Sequence, residues 1–341
     1  MTTVETGPIF IVGTARSGTT LTGQLLGNLP GLFIPGETHY LADIYQNRKR
    51  IGDLAHAASR RRIVERLATI YQRLGMLADQ RRIDKLVADG SLASALSQCR
   101  TYRDAFAAFM GLQALVAGKA RWGNHAPRDV FAIDTILGMF PNARIIGCIR
   151  DPRDFLASYR DYWRTAGGPG AARIRALYHP VIMSLLWKAS AKALLKARER
   201  HKSSVLISRY EDLVSNPAEH VQRLCRHVGE TFDAAAVQTD HNNSSENTDA
   251  QGIYGVSVAR WRKALPAEEA LIAQWLCAAE MKRFGYHAAR VDASSARLLG
   301  ILFSTPLGFL KALKQNATSE NLSISYVTAR LRSLAPGGRS H

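Results

Sequence analysis

The sequence is poor in cysteine, and its cysteines form no motif. Among 341 residues the four cysteines are Cys99, Cys148, Cys225 and Cys277, without a CxxC pair or a histidine-rich segment near any of them. This spacing argues against a disulfide scaffold and against a zinc knuckle. We expect four buried thiols in a reducing compartment.

Long hydrophobic runs are missing as well. The longest nearly uncharged apolar stretch, residues 298–310, contains Pro306 and falls short of the roughly 20 residues that a bilayer-spanning helix needs. The first residues carry no basic segment and no small-residue cleavage site, so they do not read as a secretory signal. The sequence therefore predicts a cytoplasmic protein without a transmembrane helix.

Acidic residues are scarce relative to basic ones. The chain has 45 Lys and Arg against 28 Asp and Glu, a formal net charge of +17. Such an excess predicts attraction to polyanions, to anionic membranes or to phosphorylated small molecules, without choosing among them. With 46% hydrophobic and 21% charged residues, the composition is that of a globular protein large enough to bury its own core.

Three short apolar segments predict buried strands. They are residues 8–12 (PIFIV), 144–149 (RIIGCI) and 204–208 (SVLIS), and a helix-like pattern follows each one. Strands that alternate with helices are typical of a parallel sheet covered by helices. We therefore predict an α/β fold with a three-layer core.

The rest of the chain predicts additions to this core. Residues 48–118 have apolar positions at three- and four-residue spacing and predict a helical insertion, whereas residues 240–255 are polar and predict a long loop. We expect one domain over residues 1–288 and a basic, partly amphipathic helical tail over 289–341. This tail either packs on the core or contacts anionic lipid.

Residues 13–20, GTARSGTT, follow the first strand and open a helix. Free backbone amides and the helix dipole make such a loop a phosphate site. A kinase loop reads GxxxxGK[ST], but here Thr19 stands in place of the lysine and Arg16 lies upstream. The strand at 144–149 ends in Arg150 rather than in an acid that helps to hold magnesium. The two arginines predict a substrate with several phosphates, bound without a metal.

Two of these segments carry a family resemblance. RSGTT at 16–20 and IRDPRDFLASY at 149–159 resemble the nucleotide-binding segments of sulfotransferases that use 3′-phosphoadenosine-5′-phosphosulfate (PAPS). The resemblance runs from about Ile9 to Lys263, and the form of the loop is closer to the Golgi-type, tyrosylprotein and bacterial members than to the cytosolic type. It implies a P-loop-like fold and transfer of a sulfuryl group from PAPS to an acceptor hydroxyl.

The resemblance also implies roles for individual residues. The 5′-phosphosulfate would be held by Arg16, Ser17, Gly18, Thr19 and Thr20. The 3′-phosphate would be held by Arg150 and Ser158, and Tyr210 in RYEDL would contact the adenine. Lys263, in WRK, is expected to reach the nucleotide.

The reaction needs a base for the acceptor proton, and two residues compete for that role. Glu37, in FIPGETHYL, matches the catalytic glutamate of the tyrosylprotein-like members. His125, in RWGNHAPRD, aligns either with the lysine of the Golgi-type Lys-Thr-Pro segment or with the catalytic histidine of the cytosolic type. Both alignments stay open, and His39 is expected to line the acceptor pocket or to orient Glu37.

Two other functions fit parts of the sequence. A small-molecule kinase with an aberrant loop would depend on magnesium, and a non-enzymatic polyanion-binding protein would exploit the charge of +17. No nucleic-acid-binding motif is present, so we expect no nucleic-acid partner. The acceptor class stays open among carbohydrate, lipid, peptide tyrosine and small metabolite, and the basic tail favours peripheral contact with an anionic membrane.

Overall fold

The computed structural model describes residues 7–74, 77–166, 175, 178–238, 253 and 255–317. Most of the predicted polar loop at 240–255 and the end of the predicted tail, from residue 318, lie outside the described residues. The division into a domain at 1–288 and a tail at 289–341 stays a prediction.

A five-stranded parallel sheet lies at the centre. Its strands are β1 (Ile9–Gly13), β2 (Leu32–Phe33), β3 (Arg121–His125), β4 (Arg144–Ile149) and β5 (Val205–Arg209), in the order β2-β3-β1-β4-β5. Ile9 pairs with Gly123 on one side and with Arg144 on the other. Because the strands are parallel, their carboxyl ends meet at one edge of the sheet.

Helices make up most of the remaining described chain. They are α1 (Thr19–Gly27), α2 (Tyr40–Asp43), α3 (Arg48–Ile51), α4 (Ala57–Leu74), α5 (Leu77–Ala88), α6 (Ser91–Leu96), α7 (Tyr102–Val116), α8 (Ile133–Met139), α9 (Pro152–Ala166), α10 (Pro180–Arg200), α11 (Tyr210–Ser215), α12 (Pro217–Val228), α13 (Trp261–Ala264), α14 (Ala267–Arg283) and α15 (Ser295–Ala317). Helices α2 to α7 lie between β2 and β3, in the region where the sequence predicts a helical insertion.

The side chains of β1 divide the core into two layers. Ile9 and Ile11 pack with α1 and α12 on one face of the sheet, whereas Phe10 and Val12 pack on the other face with residues of α7, α9 and α10. Successive strand residues point to opposite faces, so a shift of one residue would exchange the two layers. The α/β fold with helices on both faces of a parallel sheet is confirmed.

Two strands were not predicted from the sequence. β2 has only two residues, and β3 reads RWGNH, without an apolar run. A Cβ atom added at Gly123 would lie 3.2 Å from the Ile9 carbonyl oxygen, so β3 approaches β1 closely because it has a glycine there. Pairing with neighbouring strands, rather than its own hydrophobicity, makes this segment a strand.

All four cysteines are buried and free, as expected for buried thiols. The described part of the tail contains helix α15, Ser295–Ala317. Within the described ranges, no helix combines the length and the hydropathy needed to cross a bilayer.

Candidate functional site

The loop between β1 and α1 has a backbone that requires glycine at two positions. Gly13 has φ of 147°, and a Cβ atom there would lie 2.1 Å from the Cys148 carbonyl oxygen. Gly18 has φ of 84°, and its Cβ atom would lie 2.7 Å from Cδ2 of Tyr210. Arg16 also adopts a left-handed conformation, with φ of 63°. This backbone lets the loop pack closely against the end of β4 at Cys148 and against the start of α11 at Tyr210.

The backbone amides of residues 15–20 lie at the amino-terminal end of helix α1. Helix α1 starts at Thr19 without a side-chain cap, and in the described part of the chain the amides of residues 15–20 donate no hydrogen bond. The hydroxyls of Thr14 and Ser17 hydrogen-bond to each other, which closes the loop from within. Thr19 is buried and Thr20 is exposed. Unpaired amides at the positive end of a helix attract phosphate.

Arg16 reaches from this loop to helix α9. Its Nε donates to Oγ of Ser158 over 3.1 Å, and its guanidinium lies 4.9 Å from the ring centroid of Tyr162. Burial lowers the pKa of Arg16 and the charge of Arg150 lowers it further, although nearby tyrosines oppose both effects. A bound anion would stabilise the charged form of this desolvated guanidinium.

Arg150 is a buried cation held by backbone carbonyl groups. It donates to the carbonyl oxygen of Ser257 and, over 3.4 Å, to that of Arg16. No ion pair of Arg150 occurs among the described residues, and its buried Nε has no hydrogen-bond partner. The neighbouring carboxylate of Asp151 pairs with Arg153 instead, over 2.6 Å. Arg150 is therefore not part of a surface ion pair, and one of its donors is free.

The ring of Tyr210 packs against the guanidinium of Arg150. The Arg150 guanidinium lies 4.5 Å from the centroid of the Tyr210 ring, and the Tyr210 hydroxyl hydrogen-bonds to Oγ of Ser257 over 2.9 Å. The ring is buried and its edge touches Gly18. Tyr210 thus joins the loop, Arg150 and Ser257, and the adenine contact implied for it stays a prediction.

Ser257 and Asp154 were missed by the sequence reasoning. Asp154 accepts hydrogen bonds from the amides of Ala259 and Trp261, each over 2.8 Å, and so holds this late segment beside α9. Burial raises the pKa of Asp154 to about 6, although the charge of Arg150 opposes it. Ser257 follows a polar segment and carries no motif that would have singled it out. Lys263 is exposed, and its reach to the nucleotide stays a prediction.

The two candidate bases lie together. Nε2 of His39 donates to Oε2 of Glu37 over 2.8 Å, and Nδ1 of His125 donates to the carbonyl oxygen of Pro35 over 2.9 Å. Burial raises the pKa of Glu37, but the hydrogen bond and charge of His39, with help from His125, bring it below its ordinary value. Burial lowers the pKa of His125, although Glu37 opposes the shift. Glu37 is therefore ionised and His125 neutral near pH 7, with the lone pair of His125 on Nε2.

A buried polar chain fixes the Glu37 segment. Oγ1 of Thr38 donates to Oδ1 of Asn124 over 2.8 Å, and Nδ2 of Asn124 donates to Oδ2 of Asp129 over 3.2 Å. Burial and the charge of Glu37 raise the pKa of Asp129 to about 7. Next to Thr38, His39 has a left-handed φ of 48°. Asn124 and Asp129 were also missed, because the sequence did not predict β3 and no local pattern shows their hydrogen bonds.

The sheet brings these groups to one edge. His125 ends β3 and is in register with Ile11 of β1, while Gly13 is in register with Cys148 of β4, two residues before Arg150. The chain passes from β1 towards β2 and β3 on one side and towards β4 and β5 on the other. Ligands of open α/β sheets bind at such a switch point.

A cavity of about 90 Å³ opens beside the loop, lined by Ala15, Arg128, Phe131, Phe155, Tyr159 and Leu186 among others. Its wall is partly aromatic and carries one cationic side chain. This volume is smaller than most small-molecule pockets, which hold about 300 Å³ or more.

The sequence from residue 8 to residue 234 matches the model of the sulfotransferase family. The chain belongs to the sulfotransferase family. This sulfotransferase is 25% identical over 290 residues to nodulation protein NoeE of Sinorhizobium fredii, covering 76% of this chain and 61% of that protein. It is 25% identical over 175 residues to carbohydrate sulfotransferase 3 of Tetronarce californica, covering 46% and 38%. The chain thus spans less than two thirds of the length of either relative.

Two solved structures share the fold of this sulfotransferase. The sulfotransferase domain from the curacin biosynthetic pathway superposes with a TM-score of 0.54 at 19% identity, covering 83% of this chain and 99% of that domain. The sulfotransferase domain of the Synechococcus PCC 7002 olefin synthase has a TM-score of 0.51 at 22% identity, covering 83% and 95%. The predicted P-loop-like fold is confirmed, and the family match favours a sulfotransferase over the kinase and polyanion-binding alternatives.

Proposed function

We propose that this sulfotransferase takes a sulfuryl group from PAPS and transfers it to an acceptor hydroxyl. The observation that carries the proposal is the pair Arg16 and Arg150. Both cations are largely desolvated, and among the described residues they form no ion pair and the amides of the neighbouring glycine loop donate no hydrogen bond. The loop amides and Arg16 bind the 5′-phosphosulfate in this proposal. Arg150 and Ser158 bind the 3′-phosphate.

The electrostatics of Arg150 favour a bound phosphate. A buried charge without an ion-pair partner costs several kcal/mol, and the Arg150 guanidinium contacts two carbonyl oxygens and a tyrosine ring but forms no ion pair within the described chain. A guanidinium binds phosphate oxygens through charge-assisted hydrogen bonds. Since the Nε of Arg150 has no hydrogen-bond partner among the described residues, it supplies a donor for such a bond.

Glu37, His39 and His125 supply the base that the acceptor hydroxyl needs. As the acceptor oxygen bonds to sulfur, the bond from sulfur to the bridging oxygen breaks, and its electrons remain on the departing phosphate. Arg16 and the loop amides stabilise that charge, while the acceptor proton passes to a base. We assign the base to Glu37, which is ionised and oriented by His39. His125 is the competing base through its Nε2.

A relative and one cavity residue indicate which acceptor to test first. Carbohydrate sulfotransferase 3 is named for a carbohydrate acceptor, so a carbohydrate hydroxyl is the first acceptor to test. Arg128 in the cavity wall would favour a sugar that carries a negative charge near its hydroxyl.

Calorimetry tests the nucleotide site without knowledge of the acceptor. We expect 3′-phosphoadenosine-5′-phosphate (PAP) to bind at least about tenfold tighter than AMP, a difference of about 1.4 kcal/mol. Addition of EDTA should leave both affinities unchanged. Equal affinities for PAP and AMP, or a need for magnesium, would contradict the proposal.

A further inference from the structure

Helix α15 carries a stripe of large apolar side chains in solvent. Leu299, Phe303, Leu307 and Leu310 follow one another at spacings of four, four and three residues, which places them on one side of a helix. Phe303 is 81% exposed, and the other three are each more than half exposed. We call these four residues the apolar stripe. A contiguous exposed apolar patch on a monomer marks an interaction site.

The opposite side of α15 is already used for packing. Position 308 lies against His179 and Ile182, because a Cβ atom added to Gly308 would be 2.9 Å from Cδ2 of His179. His179 also hydrogen-bonds to Ser304 through its Nε2 over 3.1 Å. The helix is therefore anchored beside α10. Within the described residues, nothing covers the apolar stripe.

The charges near the stripe indicate what covers it. Residues 293–317 contain no acidic residue, whereas Arg297, Lys311 and Lys314 are basic. Arg297 lies on the packed side of the helix, seven positions before Ser304, and its charge acts on Glu268. Lys311 is exposed one turn after Leu307, at the end of the stripe. An apolar face bordered by a basic side chain, on a chain of +17, fits the interface of an anionic membrane, in which the apolar residues enter the acyl boundary and the cation contacts headgroups.

A second copy of this chain fits the same face less well. Pairing two stripes would bring together two chains of +17 each, and the helix has no acidic side chain to pair with the lysines of its partner. Like charges oppose such an association. An anionic lipid surface, in contrast, is attracted by the whole chain.

We propose that α15 docks this protein on an anionic lipid bilayer, with the apolar stripe at the acyl boundary and Lys311 at the headgroups. The helix lies along the surface in this arrangement. The proposal goes beyond the proposed sulfuryl transfer and does not rest on it.

Vesicle sedimentation of the full chain tests the proposal. Vesicles of phosphatidylcholine with phosphatidylserine should bind the protein, and vesicles of phosphatidylcholine alone should bind it about tenfold more weakly. The double variant Phe303→Ser with Leu307→Ser should lose about tenfold in binding to the anionic vesicles. Leu115→Ser is the matched control, because Leu115 is 74% exposed at the end of α7, and it should bind like the unchanged protein.

The midpoint of urea unfolding should be the same in the double variant and in the unchanged protein, which shows that the variant is folded. Three results would overturn the proposal. One is absence of binding to anionic vesicles, and another is an equal loss of binding in Leu115→Ser. The third is a dimer of the unchanged protein that the double variant dissociates in analytical ultracentrifugation, which would make the stripe an interface between copies.

Discussion

Replacement of Gly18 by alanine tests how the glycine loop meets Tyr210. Gly18 has φ of 84°, and the added Cβ atom would lie 2.7 Å from Cδ2 of the Tyr210 ring. That ring cannot turn away freely, because its hydroxyl bonds to Ser257 and the Arg150 guanidinium lies on its face. Gly90 provides a matched control: it also precedes a helix, with φ of 77°, but nothing lies within 4 Å of its Cβ position.

The two substitutions share one cost and differ in another. A left-handed backbone costs alanine about 1–2 kcal/mol, of which about 0.4–1 kcal/mol is recovered because the unfolded chain loses freedom. Gly90→Ala should therefore lower the free energy of unfolding by about 1 kcal/mol. Overpacking adds about 1–3 kcal/mol, so Gly18→Ala should lower it by about 2–4 kcal/mol.

Urea unfolding of both variants measures this difference, and calorimetry with PAP measures its effect on the site. Gly18→Ala should weaken PAP binding strongly, whereas Gly90→Ala should leave it unchanged. Equal loss of stability in both variants would refute the contact between Gly18 and Tyr210. A Gly18→Ala protein that binds PAP normally would show that the loop does not form the nucleotide site.

Three further predictions concern the site. Arg150→Ala should remove most of the preference for PAP over AMP in calorimetry, about tenfold, whereas Arg200→Ala, at an exposed ion pair, should not. Glu37→Gln should keep PAP binding but lower turnover by roughly 10²- to 10⁴-fold, and His125→Ala should cost less; the reverse order would assign the base to His125. Asp129 has its pKa raised from 3.8 to about 7, so its neutral form stabilises the fold at low pH and this contribution is lost as pH rises through 7. In urea titrations, the stability of Asp129→Asn relative to the unchanged protein should therefore rise between pH 4 and pH 7, and a constant difference would contradict the raised pKa.

Local sequence determined the strand, loop and helix of the proposed nucleotide site. The run PIFIV, the glycines of residues 13–18 and the leucine spacing after them act over a few neighbouring residues. Their hydrophobic period and backbone conformation therefore specify a strand, a loop and a helix without help from distant parts of the chain. β4 and β5 could be predicted for the same reason, and so could the placement of Ser158 in a helix after Arg150.

Tertiary structure decided the contacts that join distant segments. Ser257 meets Arg150 and Tyr210 across 107 and 47 positions of the chain, and no local pattern encodes such a meeting. β3 is a strand because its neighbours pair with it, so the chain of Thr38, Asn124 and Asp129 appears only once the sheet is assembled.

In helix α15, local sequence decides that a helix forms, and tertiary structure decides which of its sides is buried. Its apolar spacing predicts an amphipathic helix, because side chains three and four residues apart share a side. The sequence does not show which of its apolar sides packs on the core. That choice depends on the position of α10, where His179 and Ile182 receive Gly308 and leave Phe303 and Leu307 facing solvent.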